Sequence, residues 1–482
     1  MNKSSVLWSA VRNWGPRLGT ILTFFVLARI LDKSEIGVFA AATALIALTE
    51  LFADNGFGDA VVRNREISNG IATTILLLNF GLAAAVYLLI VLFSSQIGAF
   101  LGIVGIGPIL QLVGLSLVVN SFGYVPQALL RKSLQFKRLA FRSLSSTIAG
   151  AVVGIVMALT GFGVYSMVGQ LLITAIINVI FLWYPRVLTV AYPELTGLNE
   201  IVPFALRIFG SRALTYLALR SIELVIPFLF GPAALALYIL GSRVPAVLAQ
   251  MLTAVMIDVN LPYFSRFADQ PKELRRIYYQ SLRSFSALSL PAFLAIAALA
   301  PQISAVAFGH NGTGVPNILA MMAILGAIQS LGYSNDVFLT AYGLPEVSLR
   351  IQVTAMSATL VCFLVFATAF NNVSVDYLVY TYVSCHCVVI LSGLIYSTRK
   401  AGTSIHSLAA AFGPHLLSGC GAFAVVRITH QLFDMDGVPP LIIGSILGAI
   451  FAVTHIAILI IVDRQSFVDI FHQLRRKRLL GR

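Results

Sequence analysis

Gly15-Pro16-Arg17 and Gly210-Ser211-Arg212 place the same chemistry at two distant points of the chain. Each sets an arginine about two turns into an apolar run long enough to cross lipid, where a cation is costly and usually has a purpose. A guanidinium presents a planar fork of donors that matches phosphate or pyrophosphate oxygens bidentately. Repeated at equivalent places in two halves, Arg17 and Arg212 are candidates to line a cavity between two related helical lobes and to hold an anion there.

Other charges sit at comparable depth. With a rise of about 1.5 Å per residue, Arg17 lies roughly 10 Å inside its run. Glu50 on the next run comes out level with it, and Asp54 follows one turn further on the same face. An Arg17–Glu50 or Arg17–Asp54 contact is geometrically reasonable. Arg220 and Glu223 stand three apart, and Arg243 on the following run reaches their level. The reading is that Arg17, Arg212, Arg220 and Arg243 face the cavity, while Glu50, Asp54 and Glu223 are candidate switch or coupling acids. Arg220 with Glu223 also reads as a self-neutralised pair that steadies its own lobe. Arg12, Arg29, Asp59 and Asp258 lie near run ends and read as snorkelling anchors.

The elements that position these groups follow from composition. Of 482 residues 58% are hydrophobic and only 11% charged, where a soluble domain is roughly a quarter charged. Apolar runs of about 20 residues recur from end to end, so the expected class is all-α and polytopic, with about 14 transmembrane helices. Short alternating strands of a barrel are not evident. The net charge of +13 is a topology signal. Arg63 and Arg65, the group from Arg131 to Arg142, the group from Arg266 to Arg283, and Arg399 with Lys400 fall in alternate connections, and the other connections hold almost no Lys or Arg. The positive-inside rule makes the basic set cytoplasmic, with both termini inside. Nucleic-acid binding is excluded as the use of this charge.

Catalytic and metal chemistry find little support. Cys362, Cys385, Cys387 and Cys420 all lie in expected spans. The Cys385-His386-Cys387 run points its side chains in different directions on a helix, with no second ligand cluster, and reads as packing. His310, His386, His415, His430 and His455 are scattered without a nucleophile or acid partner. A membrane-embedded polymerase or transferase would carry a catalytic constellation, often on a sizeable outer loop, and the outer connections are short. The first run, holding Arg12 and Arg17, lacks a cleavage pattern and reads as retained. The basic connection 263–283 and the tail around Arg475 to Arg478 read as solvated helix ends in preference to helices lying on the anionic leaflet.

An internal repeat organises the chain. Besides the Gly-x-Arg pair, Asn-Ser-Phe-Gly-Tyr at 120–124 recurs as Gln-Ser-Leu-Gly-Tyr at 329–333. Six apolar runs separate the members of each pair, and an even number gives parallel repeats related by an axis along the membrane normal. The expected organisation is an N-terminal lobe at 1–204, a C-terminal lobe at 205–400, and two further spans with a basic tail at 401–482. Pro16, Pro126, Pro227, Pro245, Pro291 and Pro414 fall inside spans and favour kinks.

Leu27-Ala-Arg-Ile-Leu-Asp-Lys-Ser-Glu-Ile-Gly-Val-Phe39, then Glu50-Leu-Phe-Ala-Asp-Asn-Gly-Phe-Gly58 and Leu261-Pro-Tyr-Phe-Ser-Arg-Phe267, resemble bacterial polysaccharide flippases of the Wzx type. The resemblance is to the WzxC-like exopolysaccharide branch of the multidrug/oligosaccharidyl-lipid/polysaccharide (MOP) superfamily. It implies a MATE- and MurJ-like fold of two six-helix lobes working by alternating access in the bacterial inner membrane. It implies a cargo of undecaprenyl pyrophosphate bearing one oligosaccharide repeat unit, for exopolysaccharide, O-antigen or capsule synthesis. A polymerase and a chain-length regulator become plausible partners, and no cofactor is expected. Tyr124 and Tyr333 are candidates to stack on sugars, with helix packing the alternative. Cation-coupled efflux of drugs or metabolites keeps the fold and changes the cargo, but favours an acidic cavity where this one is net basic. Whether H+ or Na+ couples transport, and which sugars are carried, stay open at this stage.

Overall fold

The computed structural model describes residues 3–54, 56–63, 67–184, 187–195, 198–267, 270–369, 374–400, 404–433 and 437–463. Among them the chain forms sixteen α-helices and one short 3-10 turn, and no strand. The first half holds α1 (Lys3–Ile30), α2 (Lys33–Asp54), α3 (Phe57–Arg63), α4 (Asn69–Leu101), α5 (Ile106–Lys132), α6 (Phe136–Leu159), α7 (Tyr165–Trp183) and α8 (Leu198–Phe230). The second holds α9 (Pro232–Arg266), α10 (Pro271–Ala298), α11 (Ala300–Phe308), α12 (Val315–Ala341), α13 (Pro345–Ala369), α14 (Val375–Lys400), α15 (Ile405–Leu432) and α16 (Pro440–Val462).

Every expected apolar run falls on a helix. Ten of the helices are long and apolar enough to cross a membrane by length and composition, namely α4 to α7, α9, α10, α12 and α14 to α16. This is a multi-pass membrane protein. α3 was not foreseen, because its seven residues are too few for periodicity to register; it buries Phe57, Ala60 and Val61. The basic stretch after 270 is the first part of α10, which runs on unbroken to Ala298 and buries Leu274, Ile277, Tyr278 and Leu282. The side chains of the 464–482 tail lie outside the described residues.

The chain divides into two compact units, Met1–Ala236 and Leu237–Arg482. In the first, α5 is central and packs on α2, α3, α4 and α7, while α8 packs on α2, α3 and α4. Membrane helices gain no hydrophobic drive from meeting each other, so close approach depends on small residues. α6 supplies Gly150 and Gly154, four apart on one face. A β-carbon at Gly150 would stand 2.0 Å from Thr174 Oγ1 and 2.7 Å from the Gln170 carbonyl oxygen on α7. Gly37 on α2 is pressed still harder, its would-be β-carbon falling 1.8 Å from the Pro232 carbonyl oxygen. The segment before α8 is tied to the start of α4. Ser68, the α4 cap, donates to Glu194 Oε2 at 2.5 Å, and Thr74 donates to the Glu194 carbonyl at 2.8 Å. A carboxylate suits a helix N-terminus, where free N–H groups concentrate positive charge.

In the second unit α10 and α12 are the centre, with Phe264, Tyr278, Phe293 and Phe338 fully buried between them and their neighbours. Tyr278 stacks on Phe338 with centroids 4.2 Å apart. α15 and α16 pack on each other and on α10 and α11, filling a second apolar cluster around Leu294, Ala422, Leu447 and Phe451.

Replacing Gly150 by Leu is expected to push α6 off α7 and cost about 1–3 kcal/mol of stability. Gly81→Leu, where a β-carbon meets nothing within 4 Å, should be near neutral. Thermal unfolding of both variants in detergent checks the difference.

Candidate functional site

Glu50 lies on the last turn but one of α2, half-buried. On α5, Asn120 and Tyr124 are four apart and so share a face. Tyr124 donates its hydroxyl to Glu50 Oε1 at 2.9 Å, and Asn120 donates Nδ2 to the same oxygen at 3.3 Å. An ionised carboxylate only accepts hydrogen bonds, so two donors from a neighbouring helix are what allow it to sit inside the bundle.

α8 brings the third set of groups. Tyr216 donates to the Ala44 carbonyl of α2 at 2.8 Å, which pins the two helices together a turn and a half from Glu50. One turn beyond Tyr216, Arg220 Nη1 donates to Glu223 Oε1 at 2.5 Å. Tyr216 stands within electrostatic reach of Glu223, Arg220 and Glu50 alike. The acid of the ion pair is sunk, at 13% exposure, while the arginine is 51% exposed. The cluster therefore holds both carboxylates on donors, and the guanidinium that pairs with Glu223 is the more exposed partner.

The second unit has its own polar interior. Asn335 Oδ1 accepts from Ser397 Oγ at 2.8 Å and from Tyr278 at 3.5 Å. Asp336 Oδ1 accepts from Ser348 Oγ at 2.7 Å. Tyr333 hydrogen-bonds Thr253 and lies near Asp336. Arg275 donates to the Tyr342 hydroxyl at 3.2 Å. These bonds link α10, α12, α13 and α14 through side chains.

Of the residues singled out from sequence, the structure brings together Glu50, Tyr124, Arg220 and Glu223 in the first unit. Arg243, half-buried on α9, and Tyr333 on α12 belong to the second unit. The side chains of Arg17, Arg212, Asp54 and Asp258 lie outside the described residues; the backbone at Arg17 and Arg212 is helical, and Gly210 beside Arg212 faces open space. Four functional-looking residues went unremarked: Asn120, Tyr216, Asn335 and Asp336. Asn120 opens the repeated pentapeptide, and Asp336 is an acid inside an apolar run, so both had a signal. Tyr216 had none, because a tyrosine on an apolar helix looks like packing. His386 hydrogen-bonds the Tyr382 carbonyl and stands 3.3 Å from the Thr359 hydroxyl, and Cys385 lies beside Cys362. Among the described residues no group of three His, Cys, Asp or Glu side chains could hold a metal ion.

Residues 26–315 match the family described as polysaccharide biosynthesis protein. Lipopolysaccharide biosynthesis protein WzxC of Escherichia coli (strain K12) is 25% identical over 333 residues, covering 68% of this chain and 67% of that protein. Succinoglycan biosynthesis transport protein ExoT of Rhizobium meliloti (strain 1021) is 22% identical over 324 residues, 66% of this chain and 65% of that protein. The chain thus spans about two thirds of the length of these relatives. Among solved structures, lipid II flippase MurJ in an inward closed conformation superposes with a TM-score of 0.76 at 13% identity, covering 96% of this chain and all of that one. An inward-facing multidrug resistance MATE transporter of the MOP superfamily gives 0.61 at 13% identity over 82% of this chain and 98% of its own. At such identities the likeness is one of fold.

A double-mutant cycle on Glu50→Gln and Tyr124→Phe should show a coupling energy of about 0.5–1.5 kcal/mol, the range for hydrogen bonds between membrane helices. The cycle pairing Glu50→Gln with Ser397→Ala, whose bond lies in the other polar interior, should show none. Unfolding in mixed micelles reads both.

Proposed function

The chain belongs to the polysaccharide biosynthesis protein family, and we propose that it is a flippase. Its cargo in this reading is an oligosaccharide repeat unit on undecaprenyl pyrophosphate, moved by alternating access from the cytoplasmic to the periplasmic leaflet of the bacterial inner membrane. The product would feed exopolysaccharide, O-antigen or capsule assembly, where a polymerase and a chain-length regulator act next.

The observation that carries this reading is the charged cluster on α2, α5 and α8. Helices among hydrocarbon retain ionisable groups mainly where a pathway or ligand uses them, and here a half-exposed guanidinium stands beside anchored acids. The relatives support the same direction, since their names speak of lipopolysaccharide biosynthesis and succinoglycan transport. So does the fold, shared with a lipid II flippase.

In the mechanism proposed, Arg17, Arg212 and Arg220 of the first unit hold the pyrophosphate through bidentate, charge-assisted bonds, and Arg243 of the second unit is a further candidate for an anionic group. Glu50, Asp54 and Glu223 compete for those arginines once the cargo has left, which eases the return of the empty carrier. Tyr124 serves chiefly to hold Glu50, its hydroxyl being engaged there, and Tyr333, engaged with Thr253, stays a candidate to stack on sugar through its ring.

Reconstituted in proteoliposomes with a fluorescent undecaprenyl-pyrophosphate oligosaccharide, the wild-type protein should move label between leaflets. Arg17→Ala and Arg212→Ala proteins that insert normally should each lose about tenfold or more in rate, the loss of one charged hydrogen-bond pair. Full-rate transport by both would reject the assignment, and export of cationic dyes in place of the lipid would favour efflux.

A further inference from the structure

Outside the candidate site, a group of cations gathers where α5 turns into α6. α5 ends in Arg131 and Lys132, and α6 opens after a three-residue turn with Lys137 and Arg138, followed one helical turn later by Arg142. Backbone bonds close the connection, from the Ser133 N–H to the Leu129 carbonyl at 2.9 Å and from the Gln135 N–H to the Leu130 carbonyl at 3.0 Å. Arg142, half-buried, donates Nη1 to Gln127 Oε1 of α5 at 3.0 Å, and its buried Nε has no hydrogen-bond partner. Gln127 and Arg131 are four apart and share a face of α5. The bond to Gln127 therefore brings Arg142 beside Arg131, within electrostatic reach of it. Arg138 donates to Gln135 Oε1 at 2.7 Å and to the Tyr184 carbonyl at 3.3 Å.

A cation drawn partly out of water is costly without a counter-charge, and the partner that Arg142 has is a neutral amide. Its own helix carries no Asp or Glu, and neither do α1, α5 and α7, the helices that pack against α6. Gln135 at the α6 cap makes no side-chain bond to the helix. Lys137 and Arg138 thus stand where the free N–H groups of a first turn are already positive. The helices around the group add positive charge or none. We propose that Arg131 and Arg142 form a binding site for the phosphate of an anionic phospholipid, seated at the turn that joins α5 to α6.

With Nη1 on Gln127, Arg142 has its second terminal nitrogen left for a phosphate oxygen. Arg131, exposed on the turn, supplies a planar fork of donors that matches two more. The short, hydrogen-bonded connection holds the two guanidinium groups in place before the ligand arrives, which lowers the ordering cost of binding.

The surface beside the group argues for a lipid over phosphate from solution. Phe141, Ile148, Val152, Val156 and Leu159 stand exposed along α6, at spacings of seven, four, four and three residues that keep them on one face. Arg138 precedes Phe141 by three residues and heads the same face. A phosphate held by Arg131 and Arg142, with its acyl chains running along this apolar stripe, meets both the charge and the hydrocarbon of a phospholipid. Basic pockets between membrane helices take anionic headgroups in this manner. The site does not rest on the flippase reading.

Native mass spectrometry of the full chain, released from detergent micelles with lipid added, counts bound lipid and tests this. The wild type should hold phosphatidylglycerol at least about tenfold more tightly than phosphatidylcholine, whose choline offsets the phosphate charge. Arg131→Gln and Arg142→Gln should each weaken phosphatidylglycerol binding about tenfold, the loss of one hydrogen bond to a charged group, and leave phosphatidylcholine binding unchanged. Lys272→Gln, which removes an exposed cation from another basic stretch, should bind as the wild type does. Equal affinity for the two lipids, an Arg131→Gln protein that binds like the wild type, or a Lys272→Gln protein that loses as much as Arg131→Gln would each overturn the proposal. Arg131 is exposed, so its variant decides the matter even where Arg142→Gln fails to insert. Inorganic phosphate, added to lipid-free protein, should stabilise it against thermal unfolding no more than chloride of equal ionic strength. Stabilisation by phosphate that Arg131→Gln abolishes would assign the site to solution phosphate and reject the lipid. None of these readings involves transport, so failure of the flippase assignment leaves the lipid site to be judged on its own.

Discussion

A carboxylate packed among the helices of a membrane protein persists only where neighbouring helices bring donors to it, because little water reaches it there. Glu50 meets that condition through Tyr124 and Asn120, one turn apart on α5. The requirement reaches outward from the carboxylate. α5 must pass close to α2, and α8 must be held against α2 as well, which the Tyr216 bond to the Ala44 carbonyl accomplishes. Close approach in turn needs small residues, and Gly37 is in contact with the Pro232 backbone as tightly as a glycine allows. The packing of the first unit and its chemistry are thus one problem with one solution.

The same logic, met with different residues, shapes the second unit. The repeated pentapeptide sets Tyr124 on α5 and Tyr333 on α12, but the partners differ. Tyr124 holds an acid on another helix, whereas Tyr333 bonds Thr253 and lies near Asp336 of its own helix. Asn335 is shared by Tyr278 and Ser397 in a site made of neutral groups. The site in the first unit thus centres on Glu50 and the Arg220–Glu223 pair, while that in the second mixes neutral groups with Asp336 and Arg275.

The ion pair between Arg283 and Asp463 is of another kind. It joins the end of α16 to α10. Its position at the end of α16 makes it a fastening of the last helix pair, separate from the charges that a substrate would meet.

Much of the architecture was legible in the residues themselves. Apolar runs of lipid length forced an all-helical membrane fold, since an isolated chain segment in hydrocarbon can satisfy its backbone only as a helix; the runs lie on helices, with 284–308 divided between α10 and α11. The intramembrane charges Glu50, Arg220 and Glu223 stood out by cost alone. What the sequence could not disclose was partnership. Depth arithmetic set Glu50 level with Arg17, whose side chain lies outside the described residues; which side chains meet depends on helix rotation and on the order of helices around the bundle, and neither leaves a linear trace. Tertiary structure alone decided that Tyr124 and Asn120 hold Glu50, that Tyr216 brings Arg220 and Glu223 alongside, and that Arg283 pairs with Asp463. Hydrophobicity acts residue by residue and can be read in order along the chain. Hydrogen bonds and ion pairs between helices exist only once packing has chosen the neighbours.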